Sequence, residues 1–242
     1  MDIETLSCSR LRRDAIIRLL DGPGRLADIA PGTGSVNSSR AMRPFVSEGL
    51  VETEGGLYKI TPLGRIHALI LRDHLASLEV LESPFFHEHD ITSIPEDFMA
   101  RIGALVGGSE VRENGDMMNA QHSFIETVTK AKEIYGVSSV TMPGWPEMIT
   151  TALKNGAEVH LGLTIDVMMG LPDGLTWKWR QNDNMDLAQI NDCRAAFAVA
   201  DSTLMLALFW PSGPLDIARE WVVTSERARE WGKGLFEYYL SR

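Results

Sequence analysis

The sequence predicts an α+β / α/β protein in two parts. A small helical module with one β-hairpin occupies residues 1–80, and a mixed-sheet α/β domain occupies residues 109–242. A long linking helix and a helical linker at 81–108 lie between them. Three observations predict this. Charge is divided along the chain: residues 1–80 hold ten Lys/Arg and ten Asp/Glu, so the whole net charge of −10 falls on the remainder. Breaker clusters at Asp21-Gly22-Pro23-Gly24 and Pro31-Gly32-Thr33-Gly34 cut the first part into short pieces. After about Gly107, apolar runs of strand character alternate with amphipathic stretches and then follow one another directly.

In the first part, Ser9 is placed to cap a helix whose stripe is Leu11, Ile16, Leu19 and Leu20. "RLADIA" allows one or two turns, with Leu26 and Ile29 inward. Ser35 caps a third helix through "VNSSRAMRPFVSEGL". Met42, Phe45 and Val46 fall on one face, and Asn37, Ser39, Arg40 and Arg43 largely on the other. Pro44 removes a backbone donor there, which predicts a kink near Arg40 or two separate halves. Leu50-Val51 and Leu57 to Ile60 flank Gly55-Gly56 as a hairpin, and Thr61-Pro62 opens a further helix. Three helices, a hairpin and a fourth helix in about eighty residues make the winged-helix plan.

The string "DIAPGTGS" also fits the glycine loop of a nucleotide or S-adenosylmethionine site. Such a loop needs a buried strand before its glycines. Only "RLADIA" precedes Gly32, so the helix-to-helix turn is the favoured reading.

The fourth helix, "PLGRIHALILRDHLASLEVLES", is apolar at Leu63, Ile66, Ile70, Leu71, Leu75, Leu78 and Leu81, with His74 among them. That stripe is wider than one packed face needs, which predicts a homodimer contact over packing on its own domain alone. Next, His87, His89 and Asp90 carry metal-ligand residue types, and on one strand the two histidines would share a side. No third and fourth ligand is recognisable nearby, His74 and His122 being distant companions, so no metal is expected. Aromatic and histidine packing before a helix opened by Pro95-Glu96-Asp97 is the favoured reading.

In the last part, "HSFIETVTKAKEIYG" reads as a helix ended by Gly136, "VSSVTMP" as a strand and "GWPEMITTALKNG" as a helix. "AEVHLGLT" and "LTWKWR" read as strands, with Trp177 and Trp179 on one face. "CRAAFAVADSTLMLALFW" reads as two strands joined at Asp201-Ser202. "EWVVTSERAREWGKGLFEYYLSR" reads as a strand and a helix capped by Thr224 or Ser225.

Little here supports catalysis. No G-x-S-x-G, H-E-x-x-H or P-loop occurs, and "HLGLTID" from His160 to Asp166 lacks the lysine of a phospholipase-D-like H-x-K. No catalytic residue and no cofactor is therefore expected. Cys8 and Cys193 form no C-x-x-C pair and are expected as thiols. "MDIETLSCSR" lacks the apolar core of a secretion signal, and no run spans a bilayer, so a cytoplasmic protein without membrane contact is expected.

The order helix, short helix, "SVNSSRAMRPFVSEGLV", hairpin, "YKITPLG" resembles archaeal winged-helix regulators. "FFHEHDITSIPEDFMARIGAL", "DSTLMLALFW" and "DIAREWVVTSERAREWGKGLFEYYLSR" resemble regulators of the methanogenesis-regulator (Fil) type, over nearly the whole chain. The resemblance implies a transcription regulator whose third helix enters the major groove of double-stranded DNA. Asn37, Ser38, Ser39 and Arg40 would face bases and phosphates, while Arg43, Lys59 and Arg25 would hold the backbone. It also implies a small-molecule sensor in the second domain without naming the effector.

Loops after strands are where α/β sheets build pockets. Met142, Trp145, His160, Thr164 and Trp210 are the candidate lining, with Pro143-Gly144 leaving backbone groups open. Core filling or a dimer surface is the competing reading of the tryptophans. Two other functions compete: a small-molecule transferase with a winged-helix dimerisation module, and a protein-interaction module without DNA binding.

Overall fold

The computed structural model describes residues 9–32, 34–112, 119–191 and 193–242. Cys8 and the side chains of Ser35 and His122 lie outside them. The chain divides into two compact units, Met1–Ala76 and Ser77–Arg242.

In the first unit the elements come in the expected order. They are α1 (Arg10–Arg18), α2 (Leu26–Ile29), α3 (Ser35–Ser47), β1 (Val51–Glu54), β2 (Leu57–Ile60) and α4 (Pro62–Leu81), whose end enters the second unit. Pro31 to Gly34 joins two helices, and α3 runs through Pro44 as one helix. Gly55 and Gly56 take φ of 57° and 80°, the left-handed pair that a two-residue hairpin turn requires. Gly24 pairs with Tyr58 through two backbone hydrogen bonds of 3.0 and 2.9 Å, which ties the hairpin to the α1–α2 connection. Thr61 Oγ1 caps α4 by accepting from Gly64 N at 3.0 Å. Ile16, Leu19, Met42, Phe45, Leu50 and Ala68 form the core.

The second unit begins inside α4 and continues with α5 (Pro84–Glu88), α6 (Glu96–Met99) and a 3₁₀ turn, Ile102–Leu105. His87 thus lies in α5 and His89 just past its end, so the two do not share one strand, and their side chains part: His87 is exposed and His89 buried. The segment 81–108 is helical but not a linker, because Phe85, Phe86, Ile94, Phe98 and Leu105 sit in the core of this unit.

Then come β3 (Ser109–Arg112), α7 (Asn119–Lys130), β4 (Glu133–Ser138), α8 (Trp145–Lys154), β5 (Glu158–Thr164), α9 (Ile165–Gly170) and α10 (Leu175–Arg180). The chain closes with β6 (Met185–Ile190), β7 (Ala195–Ala200), β8 (Thr203–Leu208), β9 (Arg219–Thr224) and α11 (Glu226–Leu240). The strands form one sheet in the order β3-β9-β8-β7-β4-β5-β6, parallel across β4, β5 and β6 and antiparallel elsewhere. No helix among the described residues is long and apolar enough to cross a membrane.

Two expectations change here. "KEIYG" is not the end of a helix: α7 stops at Lys130 and Gly136 lies inside β4. Its hydrogen faces Leu161, where a Cβ would meet Leu161 Cδ2 at 2.9 Å. "LTWKWR" is helix α10 rather than a strand. Alternate residues on a helix point about 200° apart. Accordingly Trp179 is 2% exposed and Trp177 is 68% exposed.

Each sheet face packs a different layer. Phe197, Val199, Leu204, Leu206 and Leu208 meet α11 and the segment 84–105. Ala198, Ala200 and Met205 meet the side of α7 and α8. On the first face α11 approaches closely at Gly232, where a Cβ would lie 2.5 Å from Val199 Cγ2. Ser225 Oγ caps α11 by accepting from Ala228 N at 3.1 Å.

A polar clamp also holds α11. Arg229 reaches Glu133 at 2.7 Å and Lys233 reaches it at 3.3 Å, while Tyr135 Oη donates to Glu133 at 2.7 Å. Burial opposes ionisation of Glu133, but the hydrogen bonds from Tyr135, Arg229 and Lys233 prevail and bring its carboxyl to about 2. Because the folded value is depressed, this stabilisation is present above the ordinary value of 4.5 and is lost as pH falls toward 2. Glu133→Gln is therefore expected to lower stability at neutral pH and to flatten the acid limb between about pH 4.5 and 2, read from tryptophan fluorescence in urea at each pH.

Candidate functional site

Two surfaces carry the candidate residues, one in each unit. On the first, α3 presents Asn37, Arg40 and Arg43 as exposed side chains, with Ser39 half-buried. Ser39, Arg43, Pro44 and Ser47 face Thr53 and Tyr58 of the hairpin across an open groove of about 1000 Å³. Neither Thr53 nor Tyr58 was singled out by sequence, since only the pairing of α3 with the hairpin brings them there. Ser38 leaves the candidate set. It is 2% exposed, and its hydroxyl lies 3.5 Å from the Ala30 carbonyl and 3.4 Å from that of Gly34. Lys59 is exposed but lies 3.3 Å from Glu52, its cross-strand partner. Arg25 is exposed beside α2, away from the groove lining.

The second surface is a cleft on the small-residue face of the sheet. It holds about 590 Å³, its mouth included, but only about 40 Å³ admits the centre of a water molecule. The cleft is therefore narrow. Its floor is Gly136, Ala196, Ala198 and Ala207, and its walls include Phe124, Met142, Trp145, Met148 and Ile149. A smaller space of about 260 Å³ lies against Met142, Pro143 and Trp145 as well. The strand-to-helix turn keeps fewer open donors than the sequence suggested, because Trp145 N donates to Met142 O at 3.2 Å.

Met142 and Trp145 thus come together at the cleft, and three other candidates do not. His160 and Thr164 have the opposite strand parity to Leu161, which lines the cleft. His160 instead stacks on Tyr135 at 4.6 Å and sits 3.5 Å from Asp186. Thr164 is buried at the start of α9. Trp210 stacks on His89 at 4.8 Å, and the Arg219 guanidinium lies 5.6 Å from its ring centre.

The loop carrying Trp210 still shapes the cleft through Leu215 and Ile217. Between these two, Asp216 points elsewhere and meets buried His89 Nε2 at 3.1 Å. His89 Nδ1 donates to the Phe85 carbonyl at 2.6 Å. Asp90 N donates to Phe209 O at 2.8 Å, and Asp216 N donates to Leu208 O at 3.0 Å. Arg219 bonds Glu110 and Glu88 nearby. Burial opposes ionisation of Glu110, but hydrogen bonds from Arg112 and Arg219 hold its carboxyl below the ordinary range. Alternation along 215–217 was the available signal for this wall. The partner 127 positions away could not be read from it.

Among the described residues, no group of three or more His, Cys, Asp or Glu is arranged to hold a metal ion. Cys193 is buried with its thiol 3.1 Å from the Ala195 carbonyl.

Removing the Asp216 carboxylate strands a buried imidazole nitrogen. Asp216→Ala is expected to cost about 1–3 kcal/mol. It should also speed amide exchange in residues 209–218 more than in α11, as read by hydrogen exchange with mass spectrometry.

Comparison with known proteins adds the family. Residues 117–242 match the family described as "Methanogenesis regulatory protein FilR1, middle domain". The methanogenesis regulatory protein FilR1 of Methanothrix harundinacea (strain 6Ac) is 26% identical over 253 residues, which cover 99% of this chain and 57% of that protein. The chain therefore spans a little over half of its relative's length. Among solved structures, TrmBL2, an archaeal chromatin protein, aligns at a TM-score of 0.46 and 15% identity over 96% of this chain and 93% of its own. NucT from Helicobacter pylori aligns at 0.45 and 12% over 55% of this chain and 95% of its own. At these scores neither likeness bears on function. The match over 117–242, more than half of the chain, decides the family: the chain belongs to that of the FilR1 middle domain.

Proposed function

We propose that this chain is a DNA-binding transcription regulator, in which a winged helix in the first unit reads an operator and residues 109–242 sense a small molecule. The observation that carries the reading is the polar face of α3 beside the hairpin groove, in a chain of the FilR1 family. A helix with exposed Asn37, Arg40 and Arg43 suits a major groove, and the hairpin suits the adjoining backbone. The relative's name, that of a methanogenesis regulatory protein, supports the same reading.

The charge inventory of that face is small, so one module alone binds weakly. A pair gains from effective concentration. The stripe on α4 supplies the contact: Leu63, Ile66, Ile70 and Leu78 are 53%, 56%, 60% and 43% exposed. The proposed working form is therefore a homodimer through α4. The narrow apolar cleft is the proposed effector site, since concave and mostly apolar surfaces are where small molecules bind. An effector changes DNA affinity only by binding one state of the protein better than the other.

The test uses duplexes enriched from a random library. Arg40→Ala and Arg43→Ala should each weaken binding and reduce the slope of log affinity against log salt by about one unit. Ile70→Glu should give a monomer by light scattering and weaken binding further. Parent-like binding by both arginine variants would remove α3 from the interface.

A further inference from the structure

The solvent side of α3 is not uniformly polar. Ser38, Ala41, Met42 and Phe45 are buried and mark the side of the helix turned to the core. On the opposite side Val36, Arg40, Arg43 and Ser47 recur three and four residues apart and form one exposed stripe. Arg40, Arg43 and Ser47 continue that stripe with hydrogen-bonding groups. Val36 opens it with an isopropyl group that is 70% exposed, more than any other large apolar side chain described in the first unit.

A single exposed valine is ordinary on a protein surface. Here its place matters. Val36 is the second residue of α3, and the N-terminal residues of a recognition helix are the ones that reach base edges. Its side of the helix also carries both arginines, and α3 contains no acidic residue, which suits the phosphates flanking a major groove.

The side chain of Val36 has neither donor nor acceptor. In the major groove the base pairs show donors, acceptors and one methyl group, that of thymine C5. A polar base edge set against Val36 would lose water and gain no bond. A thymine methyl set there leaves water together with the valine, which is favourable.

We propose that Val36 is a base-reading residue, which selects a thymine through its C5 methyl group within the contact made by Arg40 and Arg43. The proposal rests on the reading of α3 as the DNA-binding helix and deepens it.

In a duplex enriched from a random library, each thymine is replaced singly by deoxyuridine. That removes one methyl and leaves every hydrogen-bonding group. Affinity for the full chain, Val36→Ala and Val36→Thr is read by fluorescence anisotropy. At one position the replacement should weaken the parent about fourfold, the effect of one methyl-sized group leaving water. At that position Val36→Ala should distinguish thymine from uracil by less than about twofold. Alanine is the stronger helix former and the site is exposed, so α3 persists in this variant. Val36→Thr keeps the branched shape with one methyl and should fall between. A variant that merely disturbed α3 would weaken binding to both duplexes alike and keep the parent's discrimination.

A parent for which no single replacement costs more than about twofold would overturn the proposal. So would discrimination that stays unchanged at every position in Val36→Ala. Either result leaves the regulator reading standing, provided Arg40→Ala and Arg43→Ala weaken binding to the same duplex. Parent-like binding by both arginine variants, or no duplex enriched at all, overturns that reading and this proposal with it.

Discussion

The hydrogen bond between His89 and Asp216 joins positions 127 apart in sequence, and the shape of the cleft depends on it. Asp216 sits between Leu215 and Ile217, which face the cleft, so fixing one carboxylate aims two apolar side chains. His89 is held in turn by the Phe85 carbonyl and by the faces of Phe85 and Trp210. A buried imidazole with a partner on each nitrogen stays put. With one partner lost, the desolvation of the other nitrogen goes uncompensated. The same residues stand directly after α4, with only Glu82 and Ser83 between α4 and α5. A displacement of the loop 209–218 thus reaches the helix proposed as the dimer contact through that hydrogen bond and the short stretch between Leu81 and His89.

The cleft exists because the sheet is asymmetric. Along β7 the residues Phe197 and Val199 face α11, while Ala196, Ala198 and Ala200 face the other side. Along β8 the leucines 204, 206 and 208 face α11, opposite Met205 and Ala207. Large side chains fill the space under α11, and Gly232 lets that helix come close. On the opposite face the alanines are too short to reach the covering helices. The layer there is completed by long residues from above, Trp145 and Met148 among them, and completed only in part.

Much of this was legible in the sequence. The hairpin at Gly55-Gly56, the capped α4 and the pair β7–β8 carry strong local signals: a left-handed turn, a Thr-Pro start and period-two alternation. The segments that misled were short or served two periods at once. "LTWKWR" alternates like a strand, but six residues cannot tell period two from a short helix, and Gly174 at φ 72° opens the helix. "KEIYG" looked helical because Gly136 usually ends helices, whereas here Leu161 crowds the position where a Cβ would be. At the cleft, Met142 and Trp145 were legible from their turn. His160 was not, because its parity on β5 depends on which face the neighbouring strands bury. Trp210, expected in the cleft lining, lies elsewhere for a different reason: its partner, His89, comes from a distant helix end.

Electrostatics tie the two proposals together. The hairpin carries Glu52 and Glu54 against one lysine, and that lysine already faces Glu52. In the proposed DNA complex the hairpin therefore adds little attraction for phosphate, and the burden falls on the arginines of α3. Few phosphate contacts mean a modest salt dependence per module and a weak complex with non-specific DNA. That is a favourable condition for regulation. Binding that rests on two modules acting together is abolished by a small change in their spacing, because half-sites lie a fixed helical repeat apart. In the proposed regulator, an effector that moved the wall held by His89 and Asp216 would act by supplying such a change.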